Sequence, residues 1–90
     1  MKFRKKPVVI DAFQLGNNIK KIGDVPDEFL VPSIDYIKID KGLDTEHWIA
    51  YVNTMEGRMH VSKNDWIIKG VNGEFYPCKP GVFEKTYEKV

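Results

Sequence analysis

Three side chains in this sequence have the chemistry of a nucleophile, a base or a soft metal ligand: His47, His60 and Cys78. They are scattered, with no C-x-x-C or H-x-x-x-H spacing, so no metal site is expected. Nucleophilic catalysis at Cys78 requires a base within reach and a lowered thiol pKa. His60 meets that need only if the two halves of the chain stack, so Cys78 reads first as a small packed thiol. The sequence holds no G-x-G-x-x-G, no G-x-x-x-x-G-K-(S or T) and no serine flanked as in a nucleophile elbow, which leaves phosphate cradles and hydrolase elbows without support. Asp24, Asp27 and Glu28 fall at an expected helix start and Asp40 and Asp44 in turns, where backbone chemistry accounts for them. No catalytic residue and no cofactor is assigned.

The closing stretch "GEFYPCKPGVFEKTYEKV" gathers Phe75, Tyr76, Phe83 and Tyr87 with Lys79, Lys85 and Lys89. Lys69 facing Tyr76, with Lys79 and Tyr87 close by, is the arrangement a nucleotide or single-stranded nucleic acid platform uses, bases stacking on rings and ammonium groups meeting phosphates, and Trp66 offers a further ring. Trp66, Lys69, Tyr76 and Lys79 are therefore the candidate ligand-binding residues. A lysine across from an aromatic ring is also an ordinary cross-strand pair, and on that account the segment is a clasp that closes a small fold. The Arg4-Lys5-Lys6 cluster reads as a solvated face, or failing that as a phosphate contact.

The elements that must position these groups can be traced along the chain. "VVIDAFQ", Val8 to Gln14, reads as a strand after the Lys5-Lys6-Pro7 lead-in. Asn17 or Asn18 is placed to cap a short helix ending at Gly23, and a helical turn is expected near Pro26. Ile34 to Asp40 alternates as a strand with a change of parity at Tyr36-Ile37, and "KGLDTE" links it to a hairpin around Glu56-Gly57. A two-residue turn there sets Val52 opposite Val61 and Thr54 opposite Met59, whereas a three-residue loop sets Tyr51 opposite Val61. Asn72-Gly73 signals a second hairpin with a type I′ turn, pairing Gly70 with Phe75, Lys69 with Tyr76 and Ile68 with Pro77. Trp66, Ile68 and Phe75 then form the core face, with Gly70 leaving room for the Phe75 ring. Ile67, Lys69, Tyr76 and Cys78 lie opposite. Pro80 suits a first helical position, and Phe83 and Tyr87 fall on one side of the helix it starts.

The fold expected from these elements is a single α+β domain over residues 1–90. It is a strongly curved antiparallel sheet or small open β-barrel of five to six strands with one or two short helices, the last at the C-terminus. The 90 residues, 42% hydrophobic and 12% aromatic, suit one folded domain. A net charge of +1 supplies no global field for nucleic acid or an anionic membrane. Apolar runs of about four to five residues fall far short of the roughly 20 that span a bilayer. The basic start followed by apolar residues is broken at Asp11 with no small-residue cleavage site, and one cysteine fits a reducing compartment, so a cytoplasmic protein is expected.

The two ends of the chain, "MKFRKKPVVIDAFQ" and "DWIIKGVNGEFYPCKPGVFEKTYE", resemble a group of short proteins encoded by tailed phages and prophages of bacteria. Their members open with M-K-(F or Y)-R-K-K-P-V-V-I-(E or D)-A and close with P-G-D-(W or Y)-I-I-x-G-x-x-G-E-x-Y-P-C-K-P-(D or E)-x-F-x-x-T-Y-E. The likeness covers about 40 of the 90 residues. Members of the group are uncharacterised, so the resemblance implies a phage or prophage origin in a bacterial host cell and no particular activity. Two departures matter. Lys63-Asn64-Asp65 stands in place of Pro-Gly-Asp, and asparagine tolerates the left-handed conformation that such a turn needs. Gly81 replaces an acidic residue and removes a favourable charge from the helix start.

The expectation that follows is a non-enzymatic accessory protein that binds a host or phage factor, either a protein or a small molecule. A nucleotide or single-stranded nucleic acid binding module is the alternative, and a small hydrolase built on Cys78 and His60 stands behind it. Exposed strand edges in a small domain are often managed by pairing, so a homodimer is also expected.

Overall fold

The computed structural model describes residues 1–3, 8–16, 19–39 and 47–90. The expected cap at Asn17 or Asn18, the Arg4-Lys5-Lys6 cluster, the Pro7 lead-in, Asp40 and the "KGLDTE" link lie outside those residues. Among the described residues, six strands and a C-terminal helix make up the fold: β1 (Asp11–Gln14), β2 (Ile34–Ile39), β3 (His47–Thr54), β4 (Gly57–Val61), β5 (Trp66–Lys69), β6 (Phe75–Cys78) and α1 (Pro80–Thr86). The strands form two three-stranded antiparallel sheets, ordered β1-β5-β6 and β2-β3-β4, and not one continuous curved sheet or a closed barrel.

The core lies between the inner faces of the two sheets. Phe13 and Ile67 enter it from the first sheet, and Ile34, Ala50, Val52 and Val61 from the second. Strand alternation explains the second set, since Ile34↔Val52 and Ala50↔Val61 are cross-strand partners that share one face. Ile34 and Tyr36 point inward while Ile37 is 38% exposed, so the parity change in this strand sends its later isoleucines to the outer face. Between the first strand and β2 the chain makes two 3₁₀ turns, Ile22–Asp24 and Asp27–Phe29. Gly23 sits inside the first turn and does not end a helix. Asp24 accepts hydrogen bonds from the Lys20 and Lys21 amides, and those bonds hold its carboxyl below the usual range. Pro26 caps the second turn, which drops Phe29 into the centre of the core.

Both hairpins take registers other than those the turn residues suggest. At the tip of β3 and β4 the turn residues are Met55 and Glu56, giving Thr54↔Gly57, Val52↔Met59 and Ala50↔Val61. Thr54 fixes that tip: its Oγ1 accepts from the Glu56 amide at 3.1 Å and donates to the Gly57 carbonyl at 2.8 Å. Gly57 follows at φ 123°, a conformation that favours glycine.

Between β5 and β6 the pairing is Lys69↔Phe75, Ile68↔Tyr76, Ile67↔Pro77 and Trp66↔Cys78, one residue from the expected register. A type I′ turn needs positive φ at both central residues, but here Gly73 is left-handed at 82° and Asn72 is not. The loop therefore holds three residues, closed by Gly73 N–H to the Gly70 carbonyl at 3.0 Å and Gly70 N–H to the Glu74 carbonyl at 2.7 Å. A shift by one residue moves every side chain of a strand to the other face. Phe75 accordingly shares the core face with Ile67 and not with Trp66 and Ile68, and the Glu74 carboxylate, not the Phe75 ring, occupies the space beside Gly70.

The turn at Ser62 to Asp65 forms as expected. Asn64 sits at φ 75°, and the Asp65 amide donates to the Ser62 carbonyl at 3.0 Å. Leu15 locks this turn to the end of β1, donating to the Asp65 carbonyl at 2.9 Å and accepting from the Asn64 amide.

Candidate functional site

The outer face of the first sheet carries Ala12, Ile68, Tyr76, Trp66 and Cys78, following from the registers of β1, β5 and β6. Ile67 and Ile68 are both fully buried, so the central strand β5 is covered on both sides. The core covers one side. The C-terminal helix belongs to the other, where Phe83 stacks on Trp66 with ring centroids 3.9 Å apart and planes at 6°. Tyr87, one turn on, lies 5.1 Å from Phe83, and its amide closes the helix on the Phe83 carbonyl. The four-residue spacing of these rings and Pro80 at the first helical position produce the arrangement.

Beside this stack opens a groove of about 400 Å³, walled by Val8, Ile10 and Ala12 on one side and by Trp66, Phe83 and Tyr87 on the other. Asp11, Glu88 and Lys89 stand at its rim. Its size and mainly apolar lining are those of a small-molecule or peptide side-chain pocket. Tyr76 lies next to it, its hydroxyl bonded to that of Tyr87, and burial first and that hydrogen bond second push its phenol up to about 12. Tyr76 is thus neutral at physiological pH, an apolar ring with a polar tip.

Of the four candidate ligand residues, the structure unites two. Trp66 and Tyr76 share the outer face, whereas Lys69 pairs with Phe75 and lies on the opposite face. Lys79 is committed elsewhere, with its Nζ 2.8 Å from Oδ2 of the buried Asp65. That oxygen also accepts from the Ser62 amide at 3.0 Å, so Asp65 ties the β4–β5 turn to the start of the helix. The sequence motif marked Asp65 only as the end of a turn. Nothing in its local spacing announces a buried carboxylate.

Cys78 and His60 are not brought together. His60 stands on the outer face of the second sheet, ring to ring with Tyr51 at 5.1 Å and 3.2 Å from the Ser62 hydroxyl. Cys78 faces outward from the first sheet. Burial, with the Asp65 carboxylate adding to it, raises its thiol pKa, the reverse of what a nucleophile needs. Alkylation of Cys78 by iodoacetamide at neutral pH is therefore expected to run slower than that of a free cysteine in an unfolded peptide, and to speed up as pH rises. A rate above the peptide's, followed by mass spectrometry, would count against a packed thiol.

The sequence reading missed a second cluster, on the outer face of the second sheet. The Arg58 guanidinium lies 4.4 Å over the Tyr51 ring and 2.7 Å from the Asp35 carboxylate. Neither expected register of that hairpin sets Tyr51 across from His60, so the neighbours were not visible in advance. With both members of the ion pair 48% exposed, it contributes about 0–1 kcal/mol.

Among the described residues no group of three or more His, Cys, Asp or Glu side chains converges as a metal site, and no helix is long and apolar enough to cross a membrane. Comparison of the chain with known protein families, with characterised proteins and with solved structures finds no match.

Proposed function

We propose that this chain is a non-enzymatic binding protein of the phage and prophage kind that its two ends resemble, and that it acts in a bacterial host cell by holding a host or phage factor in the groove beside α1. The observation that carries the reading is that groove: about 400 Å³, mainly apolar, with a tryptophan in its wall. Apolar pockets with a few polar groups at the rim are where small molecules and protruding side chains bind. The partner class that fits is an apolar or aromatic group, since Trp66, Phe83 and Tyr87 offer ring surface while Asp11, Glu88 and Lys89 at the rim are of mixed sign. The nucleotide platform has less support, because Lys69 and Tyr76 occupy opposite faces and Lys79 is held by Asp65.

The test is a fragment screen by two-dimensional NMR on isotope-labelled protein, with indole and short-chain fatty acids as probes and nucleoside monophosphates and oligodeoxythymidine as a second arm. Saturable shifts confined to the Trp66 indole, Phe83, Tyr87 and Val8 to Ala12 are the expected result. No saturable probe in the first arm, or saturation by the nucleotides at Lys69 and Tyr76, would overturn it.

A further inference from the structure

We propose that two copies of this chain pair edge to edge along β1, in antiparallel sense, to make one continuous six-stranded sheet with both C-terminal helices on the same face. The observation behind this is an overhang. β5 ends at Lys69, the partner of Asp11, because Gly70 already begins the turn to β6. Val8, Val9 and Ile10 therefore run past the end of the strand that pairs β1 and lie outside the ladder. Three β-branched residues in a row have high strand propensity, and Val9 is left 76% exposed.

Two of the other three sheet edges carry features that discourage such pairing: β6 contains Pro77, and β2 contains Asp35 and Lys38, whereas β4 carries one charge, Arg58, and no β-branched run beyond its ladder. Prolines and charges on edge strands are the usual means of blocking unwanted partners. The Val8 to Gln14 stretch has one charge, Asp11, and no proline.

Charge bears on the direction of pairing. With a net charge of +1, two copies repel each other little. Parallel in-register pairing would set Asp11 directly against Asp11 of the second copy, whereas antiparallel pairing keeps the two carboxylates out of direct opposition.

A register centred on Ile10 puts Val9 opposite Asp11 and Val8 opposite Ala12 of the second copy, so each overhang lies along its partner's β1. Ile10 and Ala12 share the groove face, and the two-fold axis then brings the grooves side by side. A specific interface buries about 800 Å² per partner, more than a strand edge alone provides. Val8, Ile10, Tyr87 and the 97% exposed Val90 around the groove extend the contact beyond the strand.

Sedimentation equilibrium of the full chain over a concentration series tests this directly. The expected mass is twice the 10.4 kDa of one chain. Val9→Glu, at an exposed position, should leave the far-ultraviolet circular dichroism spectrum of the chain nearly unchanged and weaken association by about tenfold or more, because the register sets each new carboxylate opposite Asp11 of the other copy. Met55→Glu, at the exposed β3–β4 tip, should dimerise like the parent. Amide exchange at Val8 to Ile10 should slow as the dimer forms. A chain that stays monomeric throughout, or a dimer that Val9→Glu and Met55→Glu affect equally, overturns the proposal. Either of those results leaves the groove reading standing, since the groove lies within one chain.

Discussion

Replacing Phe29 by alanine is expected to remove a large share of the domain's stability. Phe29 has no exposed surface, and its ring meets Phe13 edge-on at 4.8 Å and Phe75 at 5.6 Å. Both of those rings belong to the first sheet. On the other side Tyr36 of the second sheet donates its hydroxyl to the Phe29 carbonyl at 2.8 Å. One residue from a 3₁₀ turn thus joins the two sheets. Truncating a buried phenylalanine costs about 3–5 kcal/mol, the transfer loss and the cavity together. A 90-residue domain at about 0.05–0.15 kcal/mol per residue has roughly 5–13 kcal/mol in all. The melting temperature, followed by circular dichroism, should fall by about 12 °C or more, at about 4–8 °C per kcal/mol for a domain of this size. Phe29→Leu fills most of the volume and should lose less than half as much. An alanine variant that melts within a few degrees of the parent would mean that the core closes without this ring.

Phe29 also marks where the sequence stopped being legible. Pro26 announced a helical turn, but a three-residue 3₁₀ segment is too short to show a period, so nothing identified its last residue as the centre of the core. The strands fared differently. Alternation revealed the β2 strand, and Asn72-Gly73 revealed a turn between β5 and β6. The register remained hidden because a left-handed Gly73 suits a three-residue loop as well as a two-residue one. That one-residue difference left Phe75 on the core face with Ile67 in place of Trp66 and Ile68, and separated Lys69 from Tyr76. The candidate site was therefore half readable: Phe83 and Tyr87 met on one side of the helix as their spacing requires, while their partner Trp66 was assigned to the core. Local chemistry survived where a single backbone angle decided it, as at Asn64. It failed where two distant strands had to agree.

The second large effect should come from the Asp65–Lys79 pair, and its two members should behave unequally. The Asp65 side chain is 5% exposed and that of Lys79 68%. Removing the lysine, as in Lys79→Met, leaves a buried carboxylate facing only the Ser62 amide. Unpairing a fully buried charge costs about 3–5 kcal/mol, and the exposure of Lys79 reduces that here to about 2–3 kcal/mol, because water can reach the ammonium's side of the bridge. Removing the carboxylate's charge instead, as in Asp65→Asn, retains an acceptor for the Ser62 amide and frees an ammonium that is already largely solvated. Its cost should be about 1.5 kcal/mol, the low end for a hydrogen bond to a charged group, because the freed ammonium is already solvated. In the double variant no unpaired buried charge remains, so the loss should fall well short of the sum of the singles, with a coupling of about 1–2 kcal/mol. Urea denaturation of the four proteins measures that cycle. Additive losses would show that Lys79 contributes nothing through Asp65, which would leave its ammonium available for a ligand and restore it to the candidate binding residues.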